Sequence, residues 1–171
     1  NLSISLKLKA LLEQAGAKVV MTRTADTRCS TPAQLSGLTG AEQLRVDLNC
    51  RTVVPNTAGA DLFLSVHSNA SPATSARGVE SYWSTENLND PQSRFFATLV
   101  QNEMVKALGT PDRGVMDEMF YVVKFTDAPA VLAEVGYVTN PSDEALFKQD
   151  AVRQQTAQAL LRAMQRFFAG Q

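Results

Sequence analysis

At 171 residues the chain falls in the range of a single domain and is long enough to bury a real core. Hydrophobic residues at 44% and charged residues at 19% are ordinary globular usage and exclude a disordered chain. Sixteen basic and seventeen acidic side chains leave no basic block for nucleic acid or an anionic membrane, and no apolar run approaches the ~18 residues of a membrane span.

The chain opens at Asn1, with no starting Met and no signal peptide, inside what reads as a helix. This start is read as that of a processed or shortened form. Leu2 to Ala15 carries Ile4, Leu8, Leu11, Leu12 and Ala15 at helical spacing, with Gly16 as a stop. Ala17 to Arg23 is short and β-branched and predicts a strand. Thr24 to Gly40 is polar and turn-rich and predicts a surface excursion. Ala41 to Val54 has Leu44, Leu48 and Thr52 at helical spacing, and Pro55 is expected to bar its continuation. Cys29 and Cys50 flank a segment rich in Ser, Thr, Gly and Leu. They can close a disulfide in an oxidising compartment or remain two buried thiols; their spacing is too wide for a CxxC pair.

Asp61 to Ala70 holds the only histidine. Leu62, Leu64 and Val66 fall on one face of a strand, and Phe63, Ser65, His67 and Asn69 on the other. The apolar run stops at Ser68, so His67 is placed at the carboxyl end of a central strand, where ligands bind in open α/β sheets. An imidazole there can hold a metal, move a proton or simply hydrogen-bond to a backbone carbonyl. Gly78 to Ser84 predicts a further strand, with Glu80 and Tyr82 sharing a face. Asp90 and Pro91 open a helix that ends at Gly109. Thr110 to Gly114 reads as a loop and Met119 to Phe125 as a strand. Ala130 to Val138 is apolar apart from Glu134, as expected for a strand covered on both faces. Asn140 and Pro141 open a short helix. Asp150 caps a last one, striped by Val152, Thr156, Leu160, Ala163, Met164 and Phe167. The order predicts a single three-layer α/β/α domain, residues 1–171, with a mixed, mostly parallel central sheet.

Glu134 is the second polar residue that packing leaves unexplained. A carboxylate inside an apolar strand is costly unless it is paired, metal-bound or protonated. Burial raises its pKa toward what a general acid or base needs. The plainer alternative is an ion pair with Arg51 or Arg113. Ser65 and Ser68 lack a GxSxG elbow, and no Walker loop, dinucleotide fingerprint or HExxH is present.

The run L-F-L-S-V-H-S-N-A (62–70) and the run P-A-V-L-A-E-V-G-Y-V-T-N (129–140) resemble two signatures of the zinc-dependent N-acetylmuramoyl-L-alanine amidases of the Amidase_3 type. G-V-E-S-Y-W (78–83), D-R-G-V (112–115) and K-V-V-M-T-R-T-A-D (18–26) match that family in order and spacing, with Arg51 and Asn56 at its usual Arg and Asn. The resemblance covers essentially the whole chain. It implies a phosphorylase/hydrolase-like fold and a zinc held by His, Glu and His that activates water. The bond cut joins N-acetylmuramic acid to L-alanine in peptidoglycan. By matching, His67 is a zinc ligand and Glu134 the catalytic base. Asn69, Glu80, Gly114 and Arg51 line or support the groove. The family's first strand, which supplies its first histidine, and the glutamate ligand just before its first helix have no counterpart from Asn1 onward. The other ligands are therefore expected upstream of Asn1, weak zinc binding is expected here, and the sheet should show a bare edge or a gap. A peptidoglycan or muropeptide substrate implies a periplasmic or extracellular, cell-wall site, with which a Cys29–Cys50 bridge agrees. An activator protein is left open. The alternatives are a non-catalytic peptidoglycan-binding module, or a metal hydrolase acting on another amide.

Overall fold

A computed structural model describes residues 1–170. The helices are α1 (Leu2–Gln14), α2 (Pro32–Leu35), α3 (Gly40–Ala58), α4 (Asp90–Leu108), α5 (Tyr121–Lys124), α6 (Pro141–Lys148) and α7 (Asp150–Phe168). The strands are β1 (Phe63–Asn69), β2 (Val79–Trp83), β3 (Asp112–Asp117) and β4 (Ala130–Tyr137), in the sheet order β1-β4-β2-β3. β1 and β4 run parallel, as do β2 and β3, while β2 and β4 are antiparallel.

Alternation along the strands divides the core between the two faces. Val79, Val131, Ala133 and Val135 join Ile4 and Leu8 of α1, Phe96, Val100 and Met104 of α4, and Leu160 and Ala163 of α7 on one side. Phe63, Ala130 and Leu132 meet Val122 and Val123 of α5 and Leu48 of α3 on the other. The result is helices on both faces of a mixed sheet, the three-layer arrangement that the element order predicts. Local chemistry sets the helix starts. Thr39 and Glu42 form a capping box at α3, and the Asn140 side chain accepts from Ser142 N and Asp143 N at α6. Asp143 is fully buried and accepts from Gly78 N and Tyr137 N, tying the start of β2 to the end of β4.

Five expectations are corrected. Ala17 to Arg23 forms no strand, and from Lys18 onward it makes no backbone ladder with β1. A β-branched composition favours a strand only where a neighbour is in reach, and a cleft of about 690 Å³ separates this segment from β1. β1 is accordingly an edge strand and not a central one. The expected bare edge and gap are both present: the cleft is lined by Leu8, Leu12, Val20, Val54, Leu64 and Met164. Met119 to Phe125 folds as the helical turn α5 and not as a strand, because consecutive Val122 and Val123 are both buried against the sheet; a short apolar run does not distinguish the two states. Asp112 to Gly114 opens edge strand β3 and not a loop; its polar residues suit an edge. Helix α3 runs through Pro55 to Ala58 and ends at Gly59 in the left-handed region. Proline there removes one hydrogen bond in the last turn, which the helix tolerates.

Candidate active site

The ladder brings three polar residues into one row. His67 of β1 is the register partner of Glu134 of β4, and Glu134 is the register partner of Glu80 of β2. Registered neighbours point to the same face, so imidazole and carboxylates share one hollow at one rim of the sheet. A residue separation of 67 in the chain becomes adjacency through the parallel pairing of β1 and β4.

The two carboxylates differ in their surroundings. Glu80 is 2% exposed and accepts from the Tyr82 hydroxyl at 2.6 Å, Asn69 Nδ2 at 2.9 Å, the Tyr137 hydroxyl and Arg113 Nε. Burial alone would raise its pKa, but these hydrogen bonds and the Arg113 charge hold the carboxyl below the usual range. In return burial and Glu80 push the Tyr137 hydroxyl up to about 12 and raise Tyr82 further. Glu134 is 9% exposed, and its Oε2 is buried without a hydrogen-bond partner. Burial first, then the charge of Glu80, pushes it up to about 7. That is the range in which a carboxylate both takes and returns protons.

His67 is half-buried, and among the described residues its ring makes no hydrogen bond. The alternative of a histidine tied to a backbone carbonyl is therefore not what the strand end holds. Burial lowers its pKa first, and the positive charges of Arg51, the N-terminus and Arg23 lower it further, which keeps the imidazole neutral. Neutral imidazole is the form that ligates metal.

The remaining candidates fall around this row. Asn69 is spent on Glu80 and on Ala70 N. Gly114 lies in the bulge where β2 and β3 slip register, with φ +96, and donates its N–H to Asp112 Oδ1. Arg51 lines the cleft beside His67 and is held by Asp47 at 2.8 Å. Asp47 also accepts from Ser30 N, next to the Cys29–Cys50 disulfide that ties the 24–39 excursion to α3. Neither Arg51 nor Arg113 pairs with Glu134; their carboxylates are Asp47 and Glu80. Asn56 clamps the loop before β4 through Phe125 O and Asp127 N.

Sequence reasoning missed the set that saturates Glu80. Tyr82 was visible as a same-face neighbour. Tyr137 was not, because an odd spacing from Glu134 puts it on the wrong face. The register shift between His67 and Asn69 opposite β4 turns it back.

As a zinc site the described residues fall short. No three His, Cys, Asp or Glu side chains among them converge to hold a metal. Glu80 is saturated by four donors, which leaves His67 and the unpartnered oxygen of Glu134 as free donors. A closed or catalytic zinc site takes at least three protein ligands.

Fold and site define the class: a three-layer α/β protein with an imidazole–carboxylate row at one rim of its sheet. Residues 1–166 match the family described as N-acetylmuramoyl-L-alanine amidase, Amidase_3, and the chain belongs to that family. It is 33% identical over 160 residues to N-acetylmuramoyl-L-alanine amidase LytC of Bacillus subtilis, covering 94% of this chain and 29% of LytC. It is 32% identical over 169 residues to the probable cell wall amidase LytH of Staphylococcus epidermidis, covering 99% of this chain and 49% of LytH. The chain thus spans less than half the length of these two relatives. Among solved structures, the catalytic domain of CwlV, an N-acetylmuramoyl-L-alanine amidase from Bacillus (Paenibacillus) polymyxa var. colistinus, matches with a TM-score of 0.81. Identity is 28%, over 99% of this chain and 83% of that one.

Proposed function

We infer that the chain is a peptidoglycan hydrolase unit that cleaves the amide between N-acetylmuramic acid and L-alanine, with Glu134 as general base. The observation that carries this reading is the Glu134 carboxylate: buried, unpartnered, raised to about 7 and set beside a neutral imidazole. Glu134 takes a proton from the attacking water and returns it to the leaving amine of L-alanine. His67 is the one zinc ligand assigned within the chain. The residues present do not complete a zinc site, so no step is routed through the metal. Asn69 and Glu80 brace the rim. Gly114 shapes the bulge that carries Arg113, and Arg51 sets the positive charge around His67. The amidase relatives give no support to a purely binding module. The substrate class and the cell-wall name of LytH favour work outside the cytoplasmic membrane. A disulfide agrees with an oxidising compartment, and among the described residues no helix is long and apolar enough to cross a membrane.

The test is digestion of defined muropeptides with added zinc, with products resolved by mass spectrometry. The expected products are a muramic acid fragment with a free lactyl carboxylate and a peptide with a free L-alanine amine. Turnover should be slow, and a Glu134→Gln variant should stay at the blank. Cleavage at any other bond, or unchanged turnover in E134Q, overturns the reading. Zinc on the isolated chain should be well below one equivalent.

A further inference from the structure

Arg113 stands next to this row with most of its hydrogen-bonding capacity unused, one of its five N–H donors being engaged. Its Nε donates to Glu80, and its guanidinium lies over the Tyr137 ring at 5.3 Å from the centroid. Among the described residues neither terminal nitrogen makes a hydrogen bond or ion pair, and the side chain is 42% exposed. The guanidinium is thus fixed along one edge and against one face, while its end-on fork points to solvent. Glu80 cannot turn away to release it, because Tyr82, Tyr137 and Asn69 hold both carboxylate oxygens. The neighbouring Asp112 is turned to other donors, its Oδ1 accepting from Gly114 N and Gln101 Nε2, and the ion pair of Arg113 is with Glu80. A planar fork held in one orientation is the geometry that binds a carboxylate through two parallel bonds.

We propose that Arg113 is a specificity residue that binds a carboxylate on the stem peptide one residue beyond the L-alanine of the scissile amide. The proposal rests on the amidase reading, which places that amide at Glu134. Arg113 rises from β3, two strands away from β4, but its guanidinium rests on Glu80 of β2, the register partner of Glu134, which sets its fork at roughly 5–10 Å from Glu134 at the ordinary strand spacing. In an extended peptide, a carboxyl borne by the second residue lies about 7–10 Å from the first amide. The two lengths agree. A substrate lying across the strands therefore presents its second residue to Arg113 while its first amide faces Glu134. Because Glu80 offsets the charge of Arg113, the selectivity comes from directed hydrogen bonds and not from a general positive field.

The test is calorimetric titration of the 171-residue chain with two muramoyl-L-alanyl-D-glutamate peptides. The γ-carboxyl is capped as a methylamide in both, and the α-carboxyl is free in one and amidated in the other. Wild-type protein is expected to bind the free acid about tenfold more tightly than the amide. Arg113→Gln should bring that ratio near one while leaving the amide affinity unchanged, which also shows that the variant is folded. Arg113→Lys should restore only part of the preference, because a point charge lacks the fork. Equal binding of acid and amide by the wild type overturns the role of Arg113 and leaves the amidase reading standing. Failure to bind either peptide overturns that reading, and the Arg113 proposal with it.

Discussion

The β2–β3 side of the site is closed by hydrogen bonds, and the β1 side is open. On the closed side one buried carboxylate, Glu80, meets four donors from four other residues. On the open side the His67 ring has no hydrogen-bond partner among the described residues, Arg51 looks into a cleft of about 690 Å³, and β1 offers an unpaired edge. Glu134 stands between them with one orphaned oxygen. The difference shows how one sheet can hold a charge rigidly on one strand and leave a reactive one on the next. Full satisfaction fixes geometry, and its absence keeps a group available for chemistry.

The comparison breaks first at Glu80. Glu80→Gln removes a charged acceptor shared by Tyr82, Asn69, Tyr137 and Arg113, and a neutral amide can serve only part of them. The expected loss is about 3–5 kcal/mol of unfolding free energy, measured by denaturant titration at pH 8. The same change removes the neighbouring negative charge that helps raise Glu134, so the Glu134 pKa should fall from about 7 toward the ordinary range. A loss below 1 kcal/mol would mean that the closed side is no better held than the open one.

The open side has its own brace, which is covalent. The Cys29–Cys50 bridge closes a separation of 21 residues, for which loop-closure entropy gives about 3 kcal/mol. A Cys29→Ser, Cys50→Ser variant should lose about that much. Hydrogen exchange should speed up in the 24–39 excursion and in the first half of α3, with β2 and β3 unchanged. A thiol assay on the unfolded native protein should find no free cysteine. Two titratable thiols would show that the excursion is held by noncovalent contacts alone, those of Ser30 with Asp47 and Val46 and of Gln43 with Leu35 and Leu38.

How far the sequence reaches follows the same division. The alternation of Leu62, Leu64 and Val66 against Phe63, Ser65 and His67 is a local pattern, and both faces pack as it implies. The odd carboxylates Glu80 and Glu134 stood out because core strands have no local reason to carry them. That His67, Glu134 and Glu80 share a row is a matter of register, which only the tertiary pairing decides. The donors to Glu80 depend on a bulge and on a strand, β3, whose polar residues read as loop. The failure at Ala17 to Arg23 has the same origin: its composition is that of a strand, and a strand is defined by a neighbour it does not have.

The smallest effect is the most diagnostic, because it has a sign. Glu134 is raised from 4.5 to about 7 in the folded protein, chiefly by burial. Below about pH 4.5 it is protonated in both states and costs nothing. As the pH rises from there, the unfolded chain ionises while the folded chain keeps its proton, so stability falls until about pH 7 and then levels off. Glu80 acts in the opposite sense at lower pH. Its depressed pKa contributes stability above the unfolded value, and this is lost as pH falls through the folded one. Glu134→Gln should remove the decline between pH 4.5 and 7 and leave the acid-side loss untouched. At pH 8 it should stabilise the protein by about 1–3 kcal/mol, the upper figure being the full cost of ionising a buried carboxylate with this shift. Thermal unfolding across pH 4 to 8 in wild type and variant reads this directly. Because His67, with its lowered pKa, contributes stability that rises over the same interval, the reading is the difference between variant and wild type; a difference that stays flat from pH 4.5 to 7 would mean that Glu134 finds a charged partner in solution, and the open side would then be as closed as its neighbour.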